Sequence, residues 1–431
     1  MLVRPSYNPS PRFSERALDC GMHSTRTTCR GCGGGELHQF LDLGKQPLAN
    51  SFLNSPSEFE AEPTFPLGVY FCNDCSLVQL VDVIDPVVLF RDYIYVSGTS
   101  ESVSQHFRAY SSDVVKHLGL GSNDLVVDIA SNDGTLLGHY QQHGVRTLGV
   151  EPATNIAELA NSNGVSTINE FWTMGVAAQI CEEHGRASVI TANNVLAHVD
   201  QPLEFLQACK HLLSSNGRVV IEVPYLSHLI ERFEYDTIYH EHLSYFSVTA
   251  LSVLFQQAGL SIERIDQVPI HGGSLRIWAG LASKSAEHDE SISKLLAEEV
   301  ERGLSKPERL EHFAKDVETH RDRLNALLDD LGDTVSMAGY AAPAKGNTLL
   351  NYCGIDQSRL PYIVDKNPWK VGQFTPGTHI PVESVDVIAE RQPDYLLILA
   401  WNMSEEIMRQ QSAYQEAGGQ FIVPVPQPRV V

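Results

Sequence analysis

Leu125-Val-Val-Asp-Ile-Ala-Ser-Asn-Asp-Gly-Thr-Leu-Leu137 is the stretch that decides the fold. Leu125–Ile129 is a continuous apolar run, as suits a central strand of a parallel sheet. A polar turn follows, and apolar residues then return at helical spacing. Outward from this unit, Arg146–Val150, Ser188–Thr191 and Arg218–Val223 repeat the strand signature. Helical patterns lie at Gly134–His143, Thr154–Asn163, Pro202–Leu213 and Val248–Ala258. Leu260–Ile265 and Leu275–Gly280 add a strand pair. The alternation predicts an α/β, doubly wound sheet.

Ahead of this body stand two knuckles, Cys29-Arg-Gly-Cys32 and Cys72-Asn-Asp-Cys75. Two Cys-x-x-Cys pairs separated by a loop can close a tetrahedral thiolate cage around zinc, which gives shape to a segment with little core of its own. The strand-like runs Leu67–Phe71 and Leu77–Val81 flank the second knuckle as a hairpin, and Glu36–Asp42 is strand-like before a turn at Gly44–Pro47. The mixed segment Leu89–Ser100, with Tyr93 and Tyr95, reads as a connection that lines a pocket.

Beyond Glu287 the chain turns charged and helical, broken near Lys306-Pro307, with Leu310, Phe313, Val317, Leu324, Leu327 and Leu331 at helical spacing. A second βα series follows: Val335–Gly339, a helix from about Ala344, Tyr362–Val364, Tyr395–Leu399, a helix to Ala417, and Phe421–Val423. It predicts a smaller Rossmann-like unit.

Bulk properties bound the function. The 431 residues suggest two or three domains, and 43% hydrophobic content is ample for cores. A formal charge of −22 argues against a nucleic-acid binder, which needs a basic surface. There is no apolar run of bilayer length and no signal core, so membrane and secreted classes are set aside. Eight cysteines in so long a chain do not make a disulfide scaffold, and a cytoplasmic protein is expected. Met1–Gly21 reads as disordered, with Met22 as an alternative start.

The turn after Ile129 carries chemistry. A dinucleotide site wants three glycines, whereas this turn has one, with Asn132 and Asp133 beside it. A glycine-poor, carboxylate-rich turn suits a cationic cofactor without phosphate. Glu151 ends the next strand, where a carboxylate can accept both hydroxyls of an adenosine ribose. S-adenosylmethionine meets both conditions; an ordinary βα turn is the alternative. The second constellation is Tyr235-Asp-Thr-Ile-Tyr-His-Glu-His-Leu-Ser-Tyr245. If extended, His240 and His242 share one face and Tyr239 and Glu241 the other. A metal-binding His-x-His, and with it a zinc-dependent hydrolase, stays open. So does a non-catalytic zinc-ribbon binding protein. Gly339–Asn347 departs from a phosphate loop at Ala344 and Gly346, yet Lys345 at a helix start suits a diphosphate.

The order of these motifs resembles the sugar C-methyltransferases, which act on nucleotide-linked ketosugars. It is carried by the two knuckles, Leu41–Ala49, Ser131–Thr135, Ala192–His198, Tyr239–His242, His271–Arg276 and Ala344–Thr348, from Cys29 to the C-terminus. The resemblance implies a class I methyltransferase-type sheet between a small zinc-binding domain and a second, smaller Rossmann-like domain. It divides the chain into a disordered tail (1–25), zinc-binding domain (26–85), methyltransferase domain (86–285), helical linker (286–332) and C-terminal substrate-binding domain (333–431). It implies structural zinc on Cys29, Cys32, Cys72 and Cys75. S-adenosylmethionine falls on Asp128, Ala130, Ser131, Asn132, Asp133, Gly134, Glu151 and Asn193, with Ala130 standing where many methyltransferases carry glycine. It implies His242 as catalytic base, with Glu241, Tyr239, Tyr93 and Tyr95 beside it. The ketosugar nucleotide falls on Asn194, His198, Ser274, Arg276, Lys345 and Asn347. The resemblance implies a monomer or homodimer acting on a small molecule.

Overall fold

The computed structural model describes residues 21–91, 96–99, 101–282, 289–332 and 334–431. The proposed N-terminal tail up to residue 20, Tyr93 and Tyr95 lie outside the described residues.

Seven strands form the central sheet: β1 (Leu125–Ile129), β2 (Arg146–Val150), β3 (Thr167–Ile168), β4 (Ala187–Asn193), β5 (Leu213–Pro224), β6 (Leu260–Val268) and β7 (Ser274–Leu281). Their order is β6-β7-β5-β4-β1-β2-β3. β3, β2, β1, β4 and β5 run parallel, while β7 inserts antiparallel to both β5 and β6. The chain therefore reverses strand order between β1 and β4, and such a switch opens a crevice at the strands' carboxyl ends. β1 is buried on both faces, which accounts for its unbroken apolar run. The helices Thr135–Gln142, Thr154–Ser162 and Pro202–Leu212 match the sequence reading to within a residue or two. Glu101–Leu118 and Met174–His184 are further helices, and the first was obscured by the hydroxyl-rich run before it.

The knuckles sit on a four-stranded antiparallel sheet ordered Ser244–Tyr245, Val78–Leu80, Thr64–Cys72, Leu37–Pro47. The Gly44–Pro47 turn expected from sequence is instead strand. Gly44, at φ +76°, sits where the register shifts between Asp42 and Lys45, so a bulge absorbs the turn residues. The first strand of this sheet belongs to the segment just after His242: Tyr245 pairs with Val78 and Ser244 with Gln79.

The helical break is as read. Glu290–Arg302 starts on Asp289, whose carboxylate accepts Ser291 N, and stops at the left-handed Gly303; Pro307 opens Pro307–Leu331. Beyond it a six-stranded sheet is ordered β10-β9-β8-β11-β12-β13. Its strands are β8 (Met337–Tyr340), β9 (Ile363–Asp365), β10 (Val382–Ser384), β11 (Tyr395–Ile398), β12 (Gln420–Val423) and β13 (Arg429–Val430). All but β13 are parallel, with the helix Ala344–Cys353 following β8.

One core joins Cys29, Cys72 and Cys75 to β1, β4 and β5; another joins the knuckle strands to the long helix and the C-terminal sheet. Glu299, fully buried on the helix Glu290–Arg302, binds the start of the helix Val248–Ala258. Its carboxylate accepts Val248 N at 2.6 Å, Thr249 N at 2.9 Å, Thr249 Oγ1 at 2.6 Å and Tyr225 Oη at 3.0 Å. Buried donors left unpaired cost about 1–3 kcal/mol each. Glu299→Ala is therefore expected to destabilise the chain by about 3–5 kcal/mol, with Glu299→Gln intermediate, in urea unfolding followed by circular dichroism. An unchanged midpoint would contradict this account.

Candidate active site and zinc centre

The four knuckle sulfurs lie within 4.8 Å of one another, with Cys29–Cys75 and Cys32–Cys72 each at 3.6 Å. Zinc bonds of about 2.3 Å in a tetrahedron put sulfurs about 3.8 Å apart, so the cage has the right size. Donors already aim at the sulfurs: Gln79 Nε2 and Gly31 N reach Cys29 Sγ at 3.0 and 3.3 Å, and Gly34 N reaches Cys32 Sγ at 3.4 Å. A Cβ on Gly34 would also crowd Cys32 Sγ at 3.3 Å. Four thiols in contact cannot all ionise by themselves. The hydrogen bond from Cys75 holds Cys29 down at about 4, while that same bond and burial push Cys75 far up. A dication resolves the conflict, and the residues fit zinc.

The knuckle also reaches the crevice. Arg30, between two of the cysteines, donates its buried guanidinium to Leu80 O and lies 3.6 Å from Asp200. Arg26 grips both Asp200 oxygens at 3.0 Å. Asp200 lines a cavity of ≈ 1010 Å³ at the carboxyl ends of β1, β2, β4 and β5.

Ala130, Asn132, Glu151 and Asn193 line that cavity. Ala130 (φ +51°), Asn132 (φ +52°) and Gly134 (φ +80°) are left-handed, which bends the chain sharply off β1. For Ala130 this conformation costs on the order of 1–2 kcal/mol. Glu151 braces the bend, accepting Asn132 N at 2.9 Å and Ala153 N at 2.8 Å. From the other side Ser97 N donates to Asn132 Oδ1 and Gly98 N to Asp133 Oδ2. Asp128, Ser131, Asp133 and Gly134 lie behind the cavity wall. Asp128, pushed up to about 7 by burial, accepts Thr191 Oγ1 at 2.6 Å and ties β1 to β4. A Cβ on Gly134 would meet Val165 at 2.8 Å.

Residues 239–242 form a turn rather than an extended run, closed by His242 N donating to Tyr239 O at 2.8 Å. Side chains three apart therefore come together, and the face-sharing expected for an extended chain does not hold. Tyr239 and His242 both face the cavity with ring centroids 4.1 Å apart; His198 lies 4.9 Å from His242. His242 Nδ1 donates to Thr237 O at 2.7 Å, which puts the basic lone pair on Nε2. Burial, with a smaller share from His242, lowers His198 to about 3, so it is neutral at pH 7. His240 points away, its Nε2 at 3.1 Å from Pro66 O. Among the described residues the four cysteines are the one cluster able to hold a metal. Glu241 also turns aside: Asn50 Nδ2 donates to it at 2.7 Å.

Asn194, His198 and Lys345 line the cavity, whereas Ser274, Arg276 and Asn347 do not. Ser274 Oγ donates to Ile270 O at 3.2 Å. Arg276 is buried against Glu222 (Nε to Oε1 2.7 Å), a carboxylate also met by His106 Nε2 at 2.9 Å. Asn347 Nδ2 donates to Ala49 O at 2.7 Å, joining the C-terminal sheet's first helix to the loop after Leu37–Pro47. The cavity adds Trp172, Glu234, Thr237 and Asn402 to the residues expected from sequence. Glu234 was missed although it immediately precedes the Tyr235–Tyr245 cluster, where its charge was a signal; Thr237 contributes a carbonyl, for which side-chain chemistry carries no signal. Elemental analysis is expected to find one zinc per chain. Chelation should lower the thermal midpoint by about 10 °C, since structural zinc supplies about 10–16 kcal/mol and a chain of this length shifts by roughly 1 °C per kcal/mol.

Three family models match in series. They are a zinc binding domain over residues 29–90, a methyltransferase domain over 103–265 and a C-methyltransferase C-terminal domain over 269–426. The C-methyltransferase NovU of Streptomyces niveus is 37% identical over 404 residues, covering 94% of this chain and 96% of that protein. Solved structures resemble it more distantly. Magnesium protoporphyrin IX methyltransferase from Synechocystis PCC 6803 has 14% identity and a TM-score of 0.33, covering 42% of this chain and 83% of that one. The CcbJ methyltransferase from Streptomyces caelestis has 13% identity and a TM-score of 0.33, covering 41% and 90%. With a four-cysteine zinc site, a methyltransferase sheet and this end-to-end match, the chain belongs to the C-methyltransferase family, and its methyl donor is S-adenosylmethionine.

Proposed function

We propose that the protein methylates a carbon adjacent to the ketone of a nucleoside-diphosphate 4-keto-deoxysugar, with His242 as the base. The observation that carries the reading is the His242–Thr237 hydrogen bond, which leaves Nε2 basic in the cavity bounded by the cofactor turn. The sugar rests on the motif resemblance from Cys29 to the C-terminus.

The cavity wall suits the donor. Glu151 spends one backbone donor on each oxygen and keeps lone pairs for the ribose hydroxyls. The buried side-chain oxygens of Asn193 and Asn194 have no partner among the described residues and await a ligand's donors. When bound, S-adenosylmethionine supplies an electrophilic methyl carbon on a sulfonium.

Carbon becomes nucleophilic here only by losing a proton beside the carbonyl. His242 Nε2 takes that proton, and Thr237 O steadies the imidazolium through Nδ1. A base of pKa near neutrality is matched to this step, and positioning it is worth about 10²–10⁴-fold. Tyr239 donates its hydroxyl to the ketone oxygen as negative charge grows there. Neutral His198 adds a ring N–H without the repulsion that a second cation would bring. Lys345, at the start of the helix Ala344–Cys353, faces the diphosphate. We assign the reaction to the cytoplasm, because eight cysteines in so long a chain do not make a disulfide scaffold, and keep the five-part division of the chain as its working units.

Incubation with methyl-labelled S-adenosylmethionine and a panel of 4-keto-deoxysugar nucleotides should place label on carbon, as read by NMR of the product. Label on oxygen or nitrogen would reject the assignment. His242→Asn is expected to lower turnover by at least about 10²-fold while S-adenosylhomocysteine still binds in calorimetry. Glu151→Gln should instead weaken that binding by roughly 10–100-fold, the loss of charge-assisted bonds to two hydroxyls.

A further inference from the structure

The residues that hold His242 from behind come from the far end of the chain. His242 donates to the carbonyl of Thr237, the last residue of the single 3-10 turn Tyr235–Thr237. Thr237 itself is tied back by its N–H and hydroxyl, which both reach Glu234 O, at 3.0 and 2.7 Å. Both other side chains of the turn are fully buried and anchored elsewhere. Tyr235 Oη meets His320 Nδ1 at 3.0 Å, and His320 Nε2 reaches Pro424 O at 2.7 Å. Asp236 Oδ2 accepts the indole Nε1–H of Trp401 at 2.6 Å, while Asp236 Oδ1 has no hydrogen-bond partner among the described residues. Trp401 opens the 3-10 turn just after β11, and Lys345 Nζ rests 4.0 Å from its ring centroid.

A buried carboxylate is costly unless its partners are in place. Burial pushes Asp236 up to about 6, opposed by Lys345 and by the Trp401 bond. The indole N–H bond helps to keep this carboxylate in place and, together with Tyr235–His320, holds the turn that carries it against the long helix and the C-terminal sheet. On its other side His242 is followed at once by the strand Ser244–Tyr245, paired to the knuckle sheet. The imidazole lies between two fixed ends, and the Thr237 carbonyl takes the hydrogen of Nδ1.

We infer that Trp401 and Asp236 are positioning residues: their hydrogen bond fixes the Thr237 carbonyl and so keeps His242 in its Nδ1–H tautomer, with Nε2 as the acceptor. The inference rests on His242 being the base, but its test reads the ring directly and does not require turnover. Trp401→Phe keeps an aromatic face under Lys345 and deletes the N–H together with the five-membered ring that carries it. Asp236→Asn keeps a side-chain carbonyl able to accept it.

The experiment is a long-range proton–nitrogen correlation spectrum of the full chain labelled with ¹⁵N-histidine, with the His242 signals assigned by their loss in His242→Asn. The wild type and Asp236→Asn are expected to show Nδ1–H. Trp401→Phe should show a mixture with at least about one-fifth Nε2–H, in a chain that circular dichroism shows to be folded though with a lowered thermal midpoint. A wild-type His242 pattern in Trp401→Phe would overturn the inference, as would an Nε2–H tautomer in the wild type. Loss of methyl transfer in His242→Asn bears on the base assignment alone, so the two failures are distinguishable.

Discussion

A neutral imidazole has one ring hydrogen to give, and His242 gives it to the carbonyl of Thr237 2.7 Å away. That single donation determines which nitrogen faces the cavity. It needs a carbonyl that does not move, and the three parts of the molecule meet so as to hold it. The knuckle sheet takes the strand just beyond His242, and the long helix and C-terminal sheet take the turn just before it.

The same convergence explains why the zinc centre is more than a remote staple. Its cysteines belong to the core of the seven-stranded sheet, and the arginine between two of them stands behind the cavity wall at Asp200. The loop after Leu37–Pro47 reaches the C-terminal sheet through Asn347–Ala49 and through the bridge between Leu53 and Phe374. Asn50 of that loop meets Glu241. Neighbours in sequence thus serve opposite ends: His242 faces the cavity, and Glu241 faces the seam between units.

Much of the architecture was legible because it rests on local rules. Leu125–Ile129 is apolar because both faces of β1 are covered, and Pro307 marks a helix start because it lacks an N–H that position does not use. The helix Glu101–Leu118 escaped notice because its start is rich in serine and its buried residues are few and spread out. At the site, Glu151 was singled out by residue type and strand position and His242 by the motif resemblance, and both line the cavity. Arg276 was legible as a cation but not by its partner, since Glu222 lies 54 residues away. Asn347 was legible as an amide but not by its partner, since the Ala49 carbonyl that its Nδ2 reaches lies 298 residues away.

What the sequence by itself determined is what neighbours along the chain decide: strand and helix periods, the paired cysteine knuckles, the glycine-poor turn after β1, and the order of motifs that marks the family. Tertiary structure alone decided which polar groups face the cavity. A strongly polar side chain lowers its free energy equally by meeting a ligand or by meeting a distant buried partner. Only the packing of β5 against β7, and of Trp401 against Asp236, fixes which of those happens. The Thr237 carbonyl is the limiting case, because a main-chain oxygen is the same in every residue and acquires its role solely from where the fold puts it.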